Sequence, residues 1–368
     1  MSEVTHLEGT GRAGALALVR SRWFYSPLAS LLTIGVGAVV ALVVWKLAAW
    51  GLWNAVWTPD PQACREASGA CWGFVAEKWR LILFGRYPHE LQWRPAAATA
   101  GIVVMLVVTA IPALWNRRGV VWLLLGWVAA FFAFFALMLG GIFDLSPIST
   151  DMWGGLPLTV VLTLVGMTAS APLGILLALG RRSRMPIVSA LSTGYIELVR
   201  GVPLITVLFV ATFVFPLVMP ADLGIPAFWR VAVGITLFQA AYMAETVRGG
   251  LQTVPAGQMN AAESLGLTRR QAYLYVVLPQ ALVAVIPAFV NSLLSCFMDT
   301  SLVTIVSMYD LTGSLRLALG DAIWRAFFVE GYVFIALIYF VSSFLISRYS
   351  QWLEGYLTKS KTRSGVPG

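Results

Sequence analysis

The polar segment at residues 254–280 reads VPAGQMNAAESLGLTRRQAYLYVVLPQ and separates two strongly apolar runs. Pro255 suits the first turn of a helix, and Gly266 suits the end of one. Ala261 and Ala262 keep one face of that helix thin enough for another surface to approach closely. We therefore expect a short helix that lies along the membrane and docks onto a partner, and not a catalytic pocket.

The composition of the whole chain is that of an integral membrane protein. Of its 368 residues, 59% are hydrophobic and 11% are charged, whereas soluble domains are roughly 25% charged. The apolar runs are long enough to cross a bilayer as helices, which takes roughly 20 residues. They are continuous and do not alternate with polar residues, as the strands of a membrane barrel would. We predict an all-α, polytopic transmembrane protein.

About eight membrane spans are predicted from these runs. They lie near residues 28–49, 96–115, 119–143, 156–180, 203–220, 228–247, 276–297 and 330–350. A helical lead-in from residue 186 precedes the fifth span, and Gly201 with Pro203 should break the helix between them. The first apolar run has no small-residue cleavage site, so it is expected to be retained as a span.

The net charge of +8 is interpreted as a signal of topology and not of nucleic-acid binding, because most basic residues fall in short loops beside apolar runs. The predicted spans place most of the basic loop residues on one side of the membrane: Arg12, Arg20, Arg22, Arg117, Arg118, Arg181, Arg182, Arg184, Arg248, Arg269, Arg270, Arg348, Lys359, Lys361 and Arg363. The other side receives Asp60, Glu66, Asp144, Asp151 and Asp222. The positive-inside rule then places both termini in the cytoplasm.

Polar features concentrate in the second half of the chain, so we divide it near residue 150. Residues 1–150 form an N-terminal extension with three spans, and residues 151–353 form a transport core. The core includes a cytoplasmic coupling loop at 249–275, and residues 354–368 form a cytoplasmic tail.

The segment from about residue 50 to residue 95 is predicted to be an extracytoplasmic loop rich in tryptophan. Tryptophan favours the membrane–water interface, so the loop is expected to lie on the bilayer, with a partner-docking surface as the alternative. Cys64 and Cys71 fall in this loop, on the oxidising side. They could form a local disulfide, and free thiols are the alternative.

The chain contains no phosphate-binding loop of the type G-x-x-x-x-G-K-[ST]. Its four lysines are Lys46, Lys78, Lys359 and Lys361, and none of them follows a glycine. If ATP drives its activity, a separate subunit must bind ATP and magnesium and hydrolyse the nucleotide, and this chain is not an enzyme. Three cysteines and two histidines are too few and too scattered to indicate a metal site.

The polar segment resembles the coupling loop of the membrane subunits of ABC importers. There the pattern is E-A-A, three residues, G, a spacer and I-x-L-P, and the loop docks in a groove of the ATPase. Here residues 260–266 read NAAESLG and residues 276–279 read VVLP, with Asn260 in place of the family's first glutamate. The resemblance implies that the ATPase is contacted through Gly257, Asn260, Ala261, Ala262, Glu263, Gly266, Leu278 and Pro279.

Flanking motifs extend the resemblance over about residues 150–353 to the polar amino acid permeases. Residues 241–252 read AYMAETVRGGLQ and resemble AY-x-AE-x-x-RGG-[IL]-Q. Residues 197–204 read ELVRGVPL and resemble E-x-x-RG-x-PL. Residues 299–302 match K-D-[TS]-S-L from its second position onward, and Met298 replaces the usual lysine.

The N-terminal extension resembles the M-type permease of the general L-amino-acid (Aap/Bzt) importers, through ACW at 70–72 and FGRYP at 84–88. The resemblance implies a type I ABC importer permease core of five helices with a three-helix extension. It implies a bacterial inner-membrane subunit that imports polar or general L-amino acids by alternating access. It also implies an ATP-binding cassette ATPase dimer, a second homologous permease, a periplasmic amino-acid-binding protein and membrane lipid as partners.

Two pairs of charged residues are candidates for a gate. Glu197 and Arg200 lie three residues apart, so they share a helix face and could pair. That pair would either brace the break before Pro203 permanently or rearrange with the ATPase as part of a gate. Glu245 and Arg248 have the same spacing, and we expect them to brace the start of the cytoplasmic loop.

Candidates for the substrate pathway lie on the seventh span. Asp299 could meet a substrate ammonium group, and the hydroxyls of Thr300 and Ser301 could meet a carboxylate. The alternative is that these residues cap a helix. Asn291 is a pathway candidate because an unpaired amide is unfavourable in hydrocarbon.

Two other kinds of protein remain as alternatives. An ion-coupled secondary amino acid carrier would favour buried carboxylates at mid-membrane and inverted repeats, and neither is evident. A membrane scaffold without transport activity would need neither the break near Pro203 nor the 254–280 segment. Copurification of an ATPase with the chain would distinguish an ABC importer from both.

Overall fold

The computed structural model describes residues 23–220 and 224–363, with side chains described up to residue 357. Within these residues, seven helices are long and apolar enough to cross a membrane, and the bent pair Pro186–Arg200 and Leu204–Val218 provides an eighth. The predicted all-helical fold with about eight spans is confirmed. The charges predicted for Arg12, Arg20, Arg22, Asp222, Lys359, Lys361 and Arg363 lie outside the described side chains.

The α-helices of the described residues follow one another in chain order. They are α1 (Pro27–Ala48), α2 (Pro61–Glu66), α3 (Trp72–Phe84), α4 (Trp93–Thr109), α5 (Arg117–Leu139), α6 (Gly155–Arg181), α7 (Pro186–Arg200), α8 (Leu204–Phe209), α9 (Phe215–Val218), α10 (Ala227–Thr253), α11 (Ala256–Ser264), α12 (Arg269–Ala272), α13 (Leu278–Asp299), α14 (Leu311–Ala318) and α15 (Phe328–Arg363). The described part of the chain also contains the π-helices Ala49–Trp53, Val210–Val214 and Tyr273–Val277, and Tyr309–Asp310 forms the short strand β1.

The chain divides into two compact units, Met1–Ala76 and Glu77–Gly368. Residues 77–150, which the sequence assigned to the extension, belong to the same compact unit as the core. The boundary near residue 150 was drawn from the distribution of polar features, and as a functional boundary it stays a prediction.

The first unit contains a capped apolar helix followed by a cross-linked segment. Ser26 caps α1 by accepting a hydrogen bond from the amide of Ala29 at 3.1 Å. After the π-helix, Trp72 Nε1 donates to the carbonyl of Gly51 at 2.7 Å. A disulfide joins Cys64 to Cys71, whose Cα atoms lie 5.3 Å apart. The tryptophan-rich segment is therefore folded locally and includes α2 and α3. Its position as the extracytoplasmic connection between two spans stays a prediction.

A buried arginine organises the extension helices of the second unit. Arg94 is fully buried, and its Nε donates to the carbonyl of Leu137 at 2.7 Å. Its Nη1 donates to the carbonyl of Ser146 at 3.0 Å, and the hydroxyl of Tyr87 donates to Met138 at 3.1 Å. The carbonyl end of a helix carries partial negative charge, which favours a cation at this position. Arg94 thereby joins the start of α4 to the end of α5.

Aromatic rings pack the extension against the core. Phe135 of α5 stacks on Trp229 of α10 with ring centroids 5.6 Å apart. Trp153 is 2% exposed and meets Phe228 edge-on at 5.0 Å. Such pairs add about 0.5–1.5 kcal/mol beyond their burial.

Small residues allow close packing of α6 on α10. A Cβ atom at Gly166 would lie 2.6 Å from Ile235 Cγ2, and one at Gly174 would lie 2.5 Å from Met243 Cβ. Membrane helices associate largely through such van der Waals contact, which small side chains permit. These two helices therefore form the centre of the core.

The sequence placed the break near Gly201 and Pro203 correctly. α7 ends at Arg200, α8 begins at Leu204 with Pro203 as its N-cap, and the two segments are bent by 104°. Several span ends were less accurate, and the last span, predicted to end at residue 350, continues within α15 (Phe328–Arg363). The second span ends at Thr109, before the 3₁₀ turn that begins at Pro112. The sixth span continues to Thr253, so residues 249–253 of the predicted coupling loop are helical.

Residues 300–318 form a folded segment that the sequence did not predict. A 3₁₀ helix at Thr300–Val306 leads into β1, which pairs with the backbone at Gly154 and Gly155. The hydroxyl of Ser314 accepts from the amide of Gly155 at 3.0 Å and donates to Tyr309 at 2.9 Å. The segment therefore closes over the first turn of α6, at the opposite end from Arg181.

The carboxylate of Asp310, which is fully buried, holds this segment together. It accepts from the hydroxyls of Thr304 at 2.7 Å and Tyr339 at 3.1 Å. It also caps α14 by accepting from the amides of Thr312 at 3.1 Å and Gly313 at 2.9 Å.

We expect Asp310→Ala to lower the free energy of unfolding by about 2–4 kcal/mol, because it removes a helix cap and leaves buried donors without an acceptor. Thermal unfolding of the detergent-purified chain measures the effect. Asp144→Asn replaces an exposed acid in a neighbouring segment and serves as the matched control. An equal melting temperature for Asp310→Ala and the control would contradict the assignment.

Candidate functional site

The predicted docking helix is α11, and it presents most of its surface to solvent. Met259 packs against the hydrophobic core, and Ala262 is 4% exposed, so these two residues hold the helix in place. The exposed surface of the helix carries Gly257, Asn260, Ala261 and Glu263, and Gly266 follows in the exposed turn that ends the helix. No other heavy atom lies within 4 Å of a Cβ built at Gly257 or Gly266, within the residues described.

A Schellman motif ends α11. The amide of Leu267 donates to Ala262 at 3.2 Å, and the amide of Gly266 donates to Glu263 at 3.0 Å. Gly266 has φ +84, the left-handed conformation that this motif requires and that glycine adopts without steric cost. The prediction that Gly266 ends the helix is confirmed. The motif leaves Leu265 84% exposed, in the turn between α11 and α12.

A second short helix follows the turn. Thr268 and Gln271 form a reciprocal capping box, so Arg269 and Arg270 lie in the first turn of α12. The π-helix Tyr273–Val277 then leads into α13. Pro279 cannot donate a backbone hydrogen bond, and the wider π turn accommodates that loss. Leu278 and Pro279 therefore form the first turn of the membrane helix.

The coupling hairpin, formed by α11, α12 and the π-helix Tyr273–Val277, contacts the neighbouring helices through two hydrogen bonds. Gln280 Nε2 donates to Gln258 Oε1 at 3.3 Å, and Arg182 at the end of α6 donates to the hydroxyl of Tyr273 at 3.3 Å. A Cβ at Gly250 would lie 2.4 Å from Val285 Cγ2, so this glycine of the RGG motif permits close packing of α10 on α13. Movement of the hairpin would therefore be transmitted to three membrane helices, α6, α10 and α13.

A charge cluster joins the arginine-rich ends of α6, α7 and α10. Its centre is the carboxylate of Glu245, which accepts from Arg248 Nε at 2.8 Å. The same carboxylate lies 3.6 Å from Arg181 Nη1 and 3.8 Å from Arg200 Nη1. Glu197 pairs instead with Arg181, at 2.9 Å.

Of the two pairs predicted from the sequence, one is present in the structure. Glu245 and Arg248 do pair, but Glu197 and Arg200 do not: each bonds to a residue of another helix. Arg200 also lies over the ring of Tyr242, with its guanidinium carbon 5.7 Å from the centroid. Arg200 therefore contacts α10 through both Glu245 and Tyr242. Sequence reasoning missed Arg181, the residue that connects the two carboxylates.

The pathway candidates separate into exposed and buried residues. Asn291 and Ser295 are exposed on α13, and Asp299, the last residue of that helix, is partly exposed. Thr300 is fully buried and donates to the carbonyl of Phe297 at 2.8 Å, so its hydroxyl is not available to a substrate carboxylate. Ser301 is partly buried. The hydroxyl of Ser295 donates to the carbonyl of Asn291 at 3.3 Å, so it is satisfied within α13. The exposed amide of Asn291 in this apolar helix requires either a water-filled path or a second protein surface.

The fold and the site define a class of protein: a membrane transport subunit with a broken span and an exposed docking helix. Residues 170–358 match the family described as "Binding-protein-dependent transport system inner membrane component". The chain belongs to this family of ABC importer permeases.

Individual relatives match almost the whole chain. It is 43% identical, over 95% of its length and 94% of the relative's, to the "Inner membrane amino-acid ABC transporter permease protein YhdY" of Escherichia coli. It is 35% identical, over 95% of both chains, to the "Glutamate/glutamine/aspartate/asparagine transport system permease protein BztC" of Rhodobacter capsulatus. A solved "amino acid ABC transporter with histidines" is 30% identical with a TM-score of 0.49, covering 56% of this chain and 92% of that one.

The family decides between the functions weighed from sequence. The chain is a multi-pass inner-membrane permease subunit of an ABC importer, and the ATPase is a separate subunit. A substrate-binding protein is its other partner. The ion-coupled carrier and the scaffold are therefore both wrong.

Proposed function

We propose that this subunit imports L-amino acids of polar or general type, and that the exposed face of α11 receives the motion of the ATPase. The observation that carries the proposal is the helix itself. It is held from one side by Met259 and Ala262 and ended by a Schellman motif, and its other side has no contact within the described chain. A rigid helix with a free face of small residues fits a groove on a second protein.

The amino acid class is supported by two lines of observation. The relatives named above are amino-acid permeases, one of them for glutamate, glutamine, aspartate and asparagine. The motifs around Glu197, Glu245 and Asp299 resemble those of polar amino acid permeases. An amino acid is a zwitterion, and the partly exposed Asp299 with the exposed amide of Asn291 offers groups of the polarity it needs.

The assembly we propose contains an ATP-binding cassette ATPase dimer, a second homologous permease and a periplasmic amino-acid-binding protein. ATP and magnesium bind to the ATPase. The exposed polar face of α13 supports a second permease, because Asn291 and Ser295 would otherwise face lipid. Both termini lie in the cytoplasm in this proposal. The charge cluster and Arg269 then lie on the ATP side, and Asp144 and Asp151 lie outside.

The proposed mechanism couples the hairpin to the charge cluster. ATP binding closes the ATPase dimer and moves α11. Arg182 and Tyr273 pass that movement to the end of α6, where Arg181 connects Glu197 on α7 to Glu245 on α10. A relative shift of these three helix ends changes which carboxylate each arginine meets. Access to the pathway then changes from the outer side to the inner side.

Copurification and uptake together test this function. We expect an ATPase to copurify with the chain from its native membrane, and labelled L-glutamate or L-glutamine to be taken up at the expense of ATP. Uptake should persist when the membrane potential is dissipated with ATP intact. Absence of a copurifying ATPase would contradict the docking role of α11. Uptake of sugars or metal ions in place of amino acids would contradict the substrate class alone.

A further inference from the structure

A cleft beside the first turn of α4 is distinct from the coupling hairpin and the pathway helix. Its volume is about 560 Å³, in the size range of small-molecule sites. Its walls come from the end of α3 and from the turn that leads into α4, and they include Trp79, Arg80, His89, Glu90, Gln92 and Trp93. Neither the family motifs nor the proposed mechanism uses these residues.

The walls carry both signs of charge. Arg80 donates towards His89, with Nη1 and Nε2 2.6 Å apart, and its guanidinium lies 5.4 Å from the ring centroid of Trp79. No ion pair of Arg80 or of Glu90 occurs among the described side chains. Gln92 is 8% exposed, and its Oε1 lacks a hydrogen-bond donor within the described part of the chain. The cleft therefore offers a cation, an anion and an unused acceptor, which complements a zwitterion with a protonated amine.

The cleft also lies where an apolar chain would meet the protein. Trp79 is 40% exposed and Trp93 is 54% exposed, at the point where the apolar run of α4 begins, as in the aromatic belt of membrane proteins. Below the cleft, the exposed face of α4 carries the small residues Ala96, Ala97, Ala100 and Gly101. This face forms a shallow track that leads away from the charged walls.

We propose that this cleft binds the headgroup of a zwitterionic aminophospholipid. The phosphate lies at Arg80 and His89, the ammonium group lies at Glu90, and an acyl chain follows the track of small residues on α4. A free amino acid would satisfy the two charges but would leave the tryptophans and the track without a partner. An anionic lipid without an amine would leave Glu90 beside a second negative charge.

Native mass spectrometry of the detergent-purified full chain tests the proposal. The chain is offered equal amounts of phosphatidylethanolamine and phosphatidylglycerol with identical acyl chains. We expect about a ten-fold preference for phosphatidylethanolamine, the effect of one charge-assisted hydrogen bond. Glu90→Gln should lose this preference, because only phosphatidylethanolamine carries the ammonium group. Arg80→Gln should retain both lipids about ten-fold less, because both carry the phosphate. Both residues are exposed, so the variants should elute from a sizing column as the unchanged chain does.

Arg117→Gln and Asp144→Asn are the matched controls, because both residues are exposed and neither lines the cleft. Both controls should retain the preference. Equal retention of the two lipids, or retention by Arg80→Gln and Glu90→Gln equal to that of the controls, would overturn the proposal. Displacement of the lipid by water-soluble glycerophosphoethanolamine, or by glutamate at equal concentration, would assign the cleft to a soluble ligand and would also overturn it.

Discussion

Gly266→Arg will abolish uptake and association with the ATPase while the chain still inserts into the membrane. Gly266 has φ +84, and a side chain at that angle costs about 1–2 kcal/mol at the residue that ends α11. The space around it is open, so the arginine would project from the tip of the docking surface without disturbing the core. Labelled amino acid uptake, copurification of the ATPase and membrane fractionation measure the three parts of this result.

Two further variants separate the backbone from the surface. Gly266→Asn should keep much of the activity, because asparagine tolerates the left-handed conformation better than other residues. Leu265→Glu leaves the Schellman motif in place but puts a charge at the 84% exposed tip, and we expect it to weaken ATPase association. Normal uptake by Gly266→Arg would rule out α11 as the coupling element.

Glu245→Gln will lower uptake by about ten-fold or more, the effect of roughly 1.4 kcal/mol on a rate. The carboxylate accepts from Arg248 and lies within 4 Å of Arg181 and Arg200, so its loss leaves three like charges close together. Its side chain is 25% exposed, which places the expected cost between that of a surface pair and a buried pair, at about 1–3 kcal/mol. Uptake assays and thermal unfolding of the purified chain measure the two effects.

Glu197→Gln is the matched control for this result. Glu197 pairs with Arg181 alone and its side chain is 57% exposed, so we expect a loss of less than about 1 kcal/mol that disappears at high salt. The double variant Glu245→Gln with Arg181→Gln should recover part of the uptake, because one of the unpaired charges is then absent. If Glu245→Gln and Glu197→Gln behave alike, Glu245 is not the centre of the cluster.

Local chemistry allowed several features to be predicted from the sequence. Gly266 ends a helix because glycine adopts the left-handed conformation without steric cost. Pro203 begins one because proline fixes its backbone angle φ and cannot donate a backbone hydrogen bond. Glu245 and Arg248 pair because three residues bring them onto one helix face. The eight spans follow from the length and continuity of the apolar runs.

Features that depend on tertiary packing were not predicted. The partners of Glu197 and Arg200 belong to other helices, so residue spacing within one helix could not predict them. The position of the break near Pro203 could be predicted from the sequence, but its angle of 104° could not. Residues 300–318 were not assigned a structure from the sequence, and Asp310 and Ser314 fold them through hydrogen bonds with Tyr339 and Gly155. Thr300 looks like a polar pathway residue, and only the structure shows that it is satisfied by its own helix.

The way in which α11 is anchored has a consequence for the evolution of the complex. Its position is fixed by Met259 and Ala262 on the inner side, and its end is fixed by backbone hydrogen bonds at Gly266. The exposed side chains of Asn260 and Glu263 contribute to neither, although the backbone carbonyl of Glu263 accepts one of those hydrogen bonds. Substitutions there would change which ATPase the hairpin recognises without a folding penalty. In the proposed assembly of two permeases, the exposed residues that recognise the ATPase can therefore differ between the two subunits, and Asn260 would be one such difference.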